Sequence, residues 1–496
     1  MPKSIAILGG GISGLSAAYY LLEKSIQNSA RIGKIYLFEQ QSRVGGWLRS
    51  KPIHQNADDD EHFELGPRTI SLNSYAGINC LSLVNSIGLA EQIKSVSKQS
   101  KSFKRRYVVI GGQLRLLPNS LSDLFIQRPP FKPFVYYLWN DIRQPPVQIY
   151  DPITDDISVD DFFRQRFGED IARYLINPLC MGITGGDSRT LSMRSIFTSM
   201  FQKEQKYGSV VKSMLKNKDD IFQELRDDSL VQQSINEKWA VFSFQNGIES
   251  LPKRLSSLLM EKFPSQIELM LDTKVNGIEF PRSDKCLINI VHKQRSVDKI
   301  QVDHCFSSIP AIHLAPLLQS SSNLSELKST LLSIKTIHMA VVCMQFDAEI
   351  IPSDMGFGFL VPATENSQIL GVTFDSCIFP ESRTKLTVML GGYMFEKLFG
   401  HPDQMVDHDQ IIDISLQALK TYMKINELPC NVHVAIHKDC IPQYTVGHQN
   451  RLKKIEKEIQ NLPLSLLGAS YYGFSVPDTI LQARRESELW HRQQRI

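Results

Sequence analysis

Ser4-Ile-Ala-Ile-Leu8 is a short run of mostly apolar residues, and it predicts a buried strand at the start of the chain. It passes through Gly9-Gly10-Gly11-Ile12-Ser13-Gly14 into a helical pattern over 15–24, and Lys34-Ile-Tyr-Leu-Phe-Glu39 reads as a second strand. The acidic run Asp58-Asp-Asp-Glu61 predicts a solvent loop. Apolar residues at Val159, Phe162, Phe163 and Phe167 have helical spacing, and a second helical run covers 171–176 after Gly168. Val241-Phe-Ser-Phe244 predicts a strand and leads to a helix through Leu258. Alternation over 267–271, 274–280, 286–291 and 300–302 predicts strands. Strands dominate again from 337 to 392, with turns near Ser353, Glu365 and Glu381, before a helix over 409–423. Leu464-Ser-Leu-Leu467 is a strand and Gly468-Ala-Ser-Tyr-Tyr-Gly473 a turn. Ser475 then caps a helix through Leu489 with Pro477 in its first turn.

The first of these successions carries chemistry. A G-x-G-x-x-G stretch between a strand and a helix is the setting in which that motif binds a dinucleotide. Gly9 allows the tight turn, Gly11 lets a pyrophosphate approach the backbone, and Gly14 lets the helix pack on the strand. Gly10, Ile12 and Ser13 complete the cradle at the positive end of the helix. Glu39, at the end of the second strand, is placed to accept hydrogen bonds from an adenosine ribose. Arg43-Val-Gly-Gly-Trp47 follows at once, with Phe63-Glu-Leu-Gly-Pro-Arg68 some way on. A second glycine pair, Gly45-Gly46, is something a nicotinamide dehydrogenase does not need, and it favours a flavin. The helix begun at Ser475 can favour negative charge on the N1–C2=O side of a reduced flavin.

The remaining composition mainly narrows the picture. A chain of 496 residues exceeds one hydrophobic core, so two or three domains are expected. A net charge of +3 is too small to imply a nucleic-acid partner. Basic residues nevertheless cluster at Lys94, Lys98, Lys101, Lys104, Arg105 and Arg106 with no acid among them, which reads either as a solvated face or as a patch for anionic lipid or substrate. The eight cysteines form no C-x-x-C and no zinc-like spacing, so buried free thiols are expected and no metal. The histidines at 313, 338, 401, 408, 433, 437 and 448 suggest no metal cluster either. No apolar run is long enough to cross a bilayer. Because the nucleotide-binding strand begins at Ser4, no cleavable presequence is expected.

The βαβ start together with the R-x-G-G stretch resembles the FAD-containing amine oxidase and porphyrinogen oxidase superfamily. Further segments narrow the resemblance: Phe63 to Arg68, Asn177-Pro-Leu-Cys-Met-Gly-Ile183, Ser192-Met-Arg-Ser195 and Phe201-Gln-Lys-Glu204. Beyond them come Gly356-Phe-Gly-Phe-Leu-Val-Pro362, Val388-Met-Leu-Gly-Gly392 and His437-Lys-Asp-Cys-Ile-Pro-Gln-Tyr444. In combination they resemble the oxygen-dependent protoporphyrinogen oxidases of the mitochondrial type, over the whole chain.

The resemblance implies an α/β and α+β fold of the p-hydroxybenzoate-hydroxylase type. A discontinuous, Rossmann-like FAD domain would cover 1–80, 238–310 and 430–496. A β-sheet substrate domain would cover 81–102 and 311–429, and a helical membrane-binding domain 103–237. FAD, held non-covalently, would lie along Gly9 to Gly14, Glu39, Gln40, Arg43, Gly45, Gly46 and Trp47, and along Gly66, Pro67, Arg68 and Thr69. Val275 would pack near the adenine, and Ala469, Phe474, Ser475 and Val476 would touch the isoalloxazine. Arg68 would pair with a substrate propionate, Leu360 and Met389 would clamp the macrocycle, and Arg106 would lie near the pocket mouth. Gly182 would turn its backbone carbonyl toward the reacting centre. Thr373 departs from the family, which has an aliphatic clamp residue there.

The implied reaction is the six-electron oxidation of protoporphyrinogen IX, with molecular oxygen as acceptor and hydrogen peroxide as by-product. The protein, monomer or homodimer, would attach peripherally to the mitochondrial inner membrane beside ferrochelatase. The aromatic stretch from Leu121 to Trp139 would supply the membrane face. Three alternatives remain open at this point. Coproporphyrinogen III could be the substrate. The chain could be another flavin oxidase, for amines or carotenoids, although Gly468-Ala-Ser470 lacks the cysteine of covalent-flavin amine oxidases. It could also be a flavin-binding escort without activity.

Overall fold

The fold is described from a computed structural model, which covers residues 2–27, 32–54, 61–149, 151, 155–216, 222–292, 298–319 and 324–494. Residues 58–60, expected as an acidic solvent loop, lie outside the described residues. The chain forms two compact units. The first comprises 1–95, 221–335 and 451–496, and the second 96–220 and 336–450.

The first unit is built on a five-stranded parallel sheet. Its order is Ile267–Met270, Ile32–Phe38, Lys3–Leu8, His304–Ser307 and Leu464–Leu466. Strands covered on both faces read as apolar runs, which is why Lys3–Leu8, Ile32–Phe38 and Leu464–Leu466 are visible as such in the sequence. The helices Ile12–Gln27 and Val476–Gln493 cover one face, through Leu15, Leu22, Ile480 and Trp490. A three-stranded antiparallel sheet, Thr273–Arg282, Lys285–His292 and Asp298–Val302, contributes Val275, Ile278, Ile288 and Val302 to a second apolar cluster. Asp303 fixes the register of two neighbouring strands. Its carboxylate accepts from Ser4 N at 2.7 Å and pairs with Lys285 at 2.7 Å.

The second unit holds a seven-stranded mixed sheet. Its order is Asn431–Pro442, Thr336–Gln345, Lys385–Gly392, Ile369–Thr373, Gly358–Leu360, Arg106–Ile110 and Gln113–Leu116. Helices Phe134–Arg143, Val159–Phe167, Asn177–Thr184, Thr198–Tyr207 and Val210–Lys216 belong to the same unit. They share a core of Phe131, Tyr137, Phe162, Phe163, Cys180 and Phe201. Arg166 is wholly buried among them. Its Nε donates to Asp141 Oδ1 at 2.7 Å, and Glu204 lies 3.3 Å from Nη1. Every charge in this group has hydrogen-bonded partners, the condition for keeping ions in a core. Glu204 of the Phe201–Glu204 motif therefore serves packing.

These units cut across the boundaries expected from the sequence. Residues 430–450 join the second unit, because Asn431–Pro442 pairs antiparallel with Thr336–Gln345. Residues 81–95 and 311–335 join the first, where Leu81, Val84, Leu327 and Leu331 enter its apolar clusters. Residues 222–237 also belong there, through Leu230 and Val231. The segment 106–116, placed with helices in the sequence reading, is a hairpin of the large sheet. The helices of 103–216 and the large sheet form one unit rather than two domains.

Candidate functional site

The glycine turn of the first unit is held from several sides. Gly9 has φ +100, and its N–H donates to Phe38 O at 2.8 Å. Only glycine adopts that conformation without strain. A Cβ at Gly14 would fall 2.1 Å from Gly9 O, so helix and strand approach as closely as the sequence reading requires. Gly11 differs from both. A Cβ there would meet nothing nearer than Gly46 Cα at 3.8 Å, so the position opens onto free space lined by a second glycine. Gly11 also pairs with Gly45 as an isolated bridge, and Gly45 N donates to Gly10 O at 2.9 Å. The two glycine stretches thus form one cradle.

The helix ladder starts with Leu15 N donating to Gly11 O, which leaves the amides of Ile12, Ser13 and Gly14 at the helix mouth. Ser13 Oγ is buried and has no hydrogen-bond partner among the described residues. A glycine-walled slot, free helix-end amides and an orphaned hydroxyl are what a dinucleotide pyrophosphate needs, so these residues fit FAD.

Glu39 is buried and partly engaged. Its Oε2 accepts from Gly10 N and its Oε1 from Gln41 N, both at 2.8 Å. A carboxylate offers about four acceptor sites, so capacity for ribose hydroxyls remains, beside Gln40. The strand carrying Val275 begins here, since Thr273 N donates to Glu39 O at 2.8 Å, and Val275 itself is buried in the neighbouring apolar cluster. Arg43 turns inward. Its guanidinium donates to Gly46 O at 2.7 Å and Val44 O at 3.0 Å and lies 3.5 Å from Glu249. Burial lowers its pKa, and Glu249 opposes that shift. Arg43 therefore shapes the Gly45-Gly46 loop.

Gly66 packs against the same loop, where a Cβ would lie 2.3 Å from Trp47 O. Pro67, Arg68 and Thr69 follow, each partly buried, while Trp47 is largely exposed. At the far end of the chain, Gly468 takes φ +95 and its N–H donates to Gln482 Oε1 at 3.0 Å. Ala469, Phe474, Ser475 and Val476 border the turn before the last helix. Ser475 Oγ caps that helix by accepting from Asp478 N at 3.2 Å. Burial raises the Asp478 carboxyl, and its hydrogen bonds with Ser475 oppose the rise.

The second unit brings together most of the other predicted residues. Val108, Leu360, Gly371 and Met389 lie opposite one another on successive strands. Arg106, Gly358, Thr373 and Thr387 form the parallel row two residues along, about 7 Å away on the same face. Gly371 lets the Leu360 side chain pack down beside its strand, since a Cβ there would lie 3.1 Å from Leu360 Cδ2 and 2.5 Å from Phe359 O. Gly182, in the last turn of Asn177–Thr184, lies against this wall, for a Cβ there would fall 2.5 Å from Leu360 Cδ2.

Arg106 lies 4.9 Å from the ring centre of Phe103 and 5.6 Å from that of Phe357. Burial among these groups lowers its pKa, although part of the side chain reaches solvent. Its basic neighbours Lys101 and Arg105 are instead paired with Asp354. The Thr373 hydroxyl donates to Asp375 Oδ1 at 2.9 Å, and Thr387 donates to Oδ2 at 2.5 Å.

Several contributors were not found in the sequence. Ser308 donates to Leu8 O at 2.8 Å and to Gly9 O at 3.2 Å, locking the turn from a position some three hundred residues away. Glu249 and Gln482 act likewise, through Arg43 and Gly468. The expectation that the histidines form no cluster also needs correction. His338, Glu396 and His401 place one ligand atom each within 4.8 Å of one another. His338 Nδ1 accepts from Asp439 N at 3.0 Å, however, so its proton is on Nε2, facing Glu396 at 3.3 Å. That is a hydrogen-bonded pair, since a metal would need the Nε2 lone pair.

Residues 12–489 match the flavin containing amine oxidoreductase family. The chain is 33% identical over 493 residues to protoporphyrinogen oxidase of Bos taurus, covering 98% of each. It is 27% identical over 508 residues to coproporphyrinogen III oxidase of Staphylococcus aureus, covering 98% of this chain and 99% of that protein. Among solved structures it is similar to cyclohexylamine oxidase from Brevibacterium oxydans, with a TM-score of 0.66, 12% identity and all of both chains covered.

Proposed function

The chain belongs to the flavin-containing amine oxidoreductase family, in its porphyrinogen oxidase branch, and on that premise we propose that it oxidises protoporphyrinogen IX to protoporphyrin IX. The enzyme is FAD-dependent and acts in porphyrin and heme biosynthesis. Six electrons leave the substrate, oxygen is the acceptor and hydrogen peroxide the by-product. The observation that carries this reading is the wall of the second unit. Leu360 and Met389 lie on either side of Gly371 in one row, Gly182 packs against Leu360, and Arg106 stands on the same face. An apolar face with one cation at its edge suits a flat tetrapyrrole bearing carboxylates.

Held at the glycine cradle, FAD would supply the acceptor for hydride from a substrate methylene carbon and the route of those electrons to oxygen. The protein's own residues have a positioning task. Leu360 and Met389 hold the macrocycle. With the Thr373 hydroxyl engaged by Asp375, its methyl group takes the place of the family's aliphatic clamp. The Gly182 carbonyl accepts a pyrrole N–H. Arg106 and Arg68 take propionates, and Arg106 is favoured for the contact beside Leu360 because strand register puts it there. No residue is required as a strong general acid or base.

The test is anaerobic mixing of the holoenzyme with protoporphyrinogen, followed by admission of oxygen. Bleaching of the flavin and its return with peroxide are expected. A flavin bleached by amines and left oxidised by protoporphyrinogen would overturn the reading, and faster bleaching by coproporphyrinogen III would reassign the substrate. Arg106→Ala should raise KM for protoporphyrinogen roughly ten- to a hundredfold, the cost of a charge-assisted hydrogen bond. Arg68→Ala should raise it less. A substrate esterified at its propionates should be nearly indifferent to either change, and equal losses for acid and ester would remove both residues from the carboxylate role.

We further propose peripheral attachment to the mitochondrial inner membrane, beside the ferrochelatase that consumes the product. Among the described residues no helix is long and apolar enough to cross a membrane. The support is an exposed apolar patch at Leu121, Phe125, Ile126, Val135, Tyr136 and Trp139.

A further inference from the structure

A helix that ends on a left-handed glycine can close in two ways. In the Schellman ending, the glycine N–H turns back to the carbonyl three residues before it, and the next N–H reaches one carbonyl further. In the αL ending, the glycine N–H alone bonds to the carbonyl four residues back. The two differ in which carbonyl is left over. The helix Asn177–Thr184 ends on Gly185, with φ 64 and ψ 5. Gly185 N donates to Met181 O at 2.9 Å, which is the αL ending. A Schellman ending would have satisfied Gly182 O with that same Gly185 N–H.

The cause lies in the side chain of Thr184. Its Oγ1 accepts from Gly186 N at 3.0 Å and donates to Cys180 O at 2.8 Å. The Gly186 N–H would be needed for the Schellman ending, and in a continuing helix it would bond Gly182 O directly. Captured by Thr184, it does neither. Thr184 O is in turn held by Gln443 Nε2 at 3.0 Å, and both residues are buried. We propose that Thr184 is a positioning residue whose hydroxyl selects this helix ending and so keeps the Gly182 carbonyl available as acceptor for a pyrrole N–H of the substrate. The inference rests on the reading of the pocket given above and assigns a cause to the free carbonyl.

An interaction that strengthens as hydride leaves the substrate should act on the chemical step more than on binding. Thr184→Val removes the acceptor at nearly constant volume. The expected result is a fall of about tenfold in the rate of flavin reduction by protoporphyrinogen, the worth of one hydrogen bond, with KM changed less than about twofold. Reoxidation of the reduced flavin by oxygen, flavin content and melting temperature should stay near wild type, and Thr184→Ser should restore the reduction rate. Should the valine variant fail to fold, Thr184→Ala carries the same comparison. An unchanged reduction rate without the hydroxyl, or a serine variant as slow as valine, overturns the proposal. A wild-type flavin that protoporphyrinogen does not bleach overturns the functional reading instead.

Discussion

Gly11→Val is expected to yield a folded protein that no longer retains FAD. The first and third glycines of the turn could not give this result. Gly9 holds a positive φ, and a Cβ at Gly14 would strike Gly9 O at 2.1 Å, so substitutions there damage the fold itself. Gly11 has neither restraint. The nearest protein atom to an added Cβ is Gly46 Cα at 3.8 Å, an ordinary contact distance. The new methyl groups would occupy the slot between the two glycine stretches, over the free amides of Ser13 and Gly14. A pyrophosphate excluded from that slot loses both its helix-end contacts and its close approach to the backbone. Overpacking of about 1–3 kcal/mol corresponds to a loss of affinity of roughly 5- to 150-fold. Flavin content after gel filtration, measured beside the far-UV circular dichroism spectrum, checks this. Normal flavin content in the variant would move the pyrophosphate away from Gly11, and loss of the native spectrum would show that the position carries the fold.

The parts that could be read in advance share a physical basis. Lys3–Leu8, Ile32–Phe38 and Leu464–Leu466 are strands of the covered parallel sheet, so their signal is strong and local. The glycine turn, Glu39 and the cap at Ser475 follow from short-range rules that act within a few residues. Asn431–Pro442 escaped notice because most of its side chains are only half-buried and His433, His437, Lys438 and Asp439 interrupt its apolar pattern. Its existence as a strand is set by pairing with Thr336–Gln345, far away in sequence. Arg43 was expected on the cofactor, yet its partners are carbonyls of its own loop and Glu249, two hundred residues on. Ser308 and Gln482 are equally illegible, because a serine or glutamine that holds a distant turn has no local pattern. The hydroxyl of Thr184 matters only because of how one helix ends.

Replacing Leu121, Phe125 and Trp139 together by Ser is expected to release the protein from vesicles that carry anionic lipid. From the sequence, Phe131, Phe134 and Trp139 were the residues of the run from Leu121 to Trp139 expected to hold the membrane. Phe131 and Tyr137 are buried, and Phe134 packs against the same core. Serine at Phe131 or Phe134 would therefore open a cavity, at a cost of about 3–5 kcal/mol in stability for the larger truncations of this kind. The outward set is different. Leu121 is 81% exposed, Phe125 69% and Trp139 54%, with Ile126, Val135 and Tyr136 beside them. Basic groups accompany the exposed rings. Lys132 lies 4.2 Å from the Tyr136 ring centre and Arg143 4.7 Å from that of Trp139. Aromatic rings backed by cations suit the headgroup layer, while Leu121 and Phe125 can enter the acyl boundary. Full burial of one such side chain is worth about 1.5–3 kcal/mol. Even partial insertion of three makes the expected loss of vesicle affinity roughly 100-fold. The measurement is cosedimentation with vesicles, run beside activity in detergent, which should be retained because none of the three residues lines the Leu360 wall. Unchanged cosedimentation would place the membrane-facing surface elsewhere on the protein. A parallel loss of detergent activity would mean that these side chains support the fold after all, as Phe131 and Phe134 do.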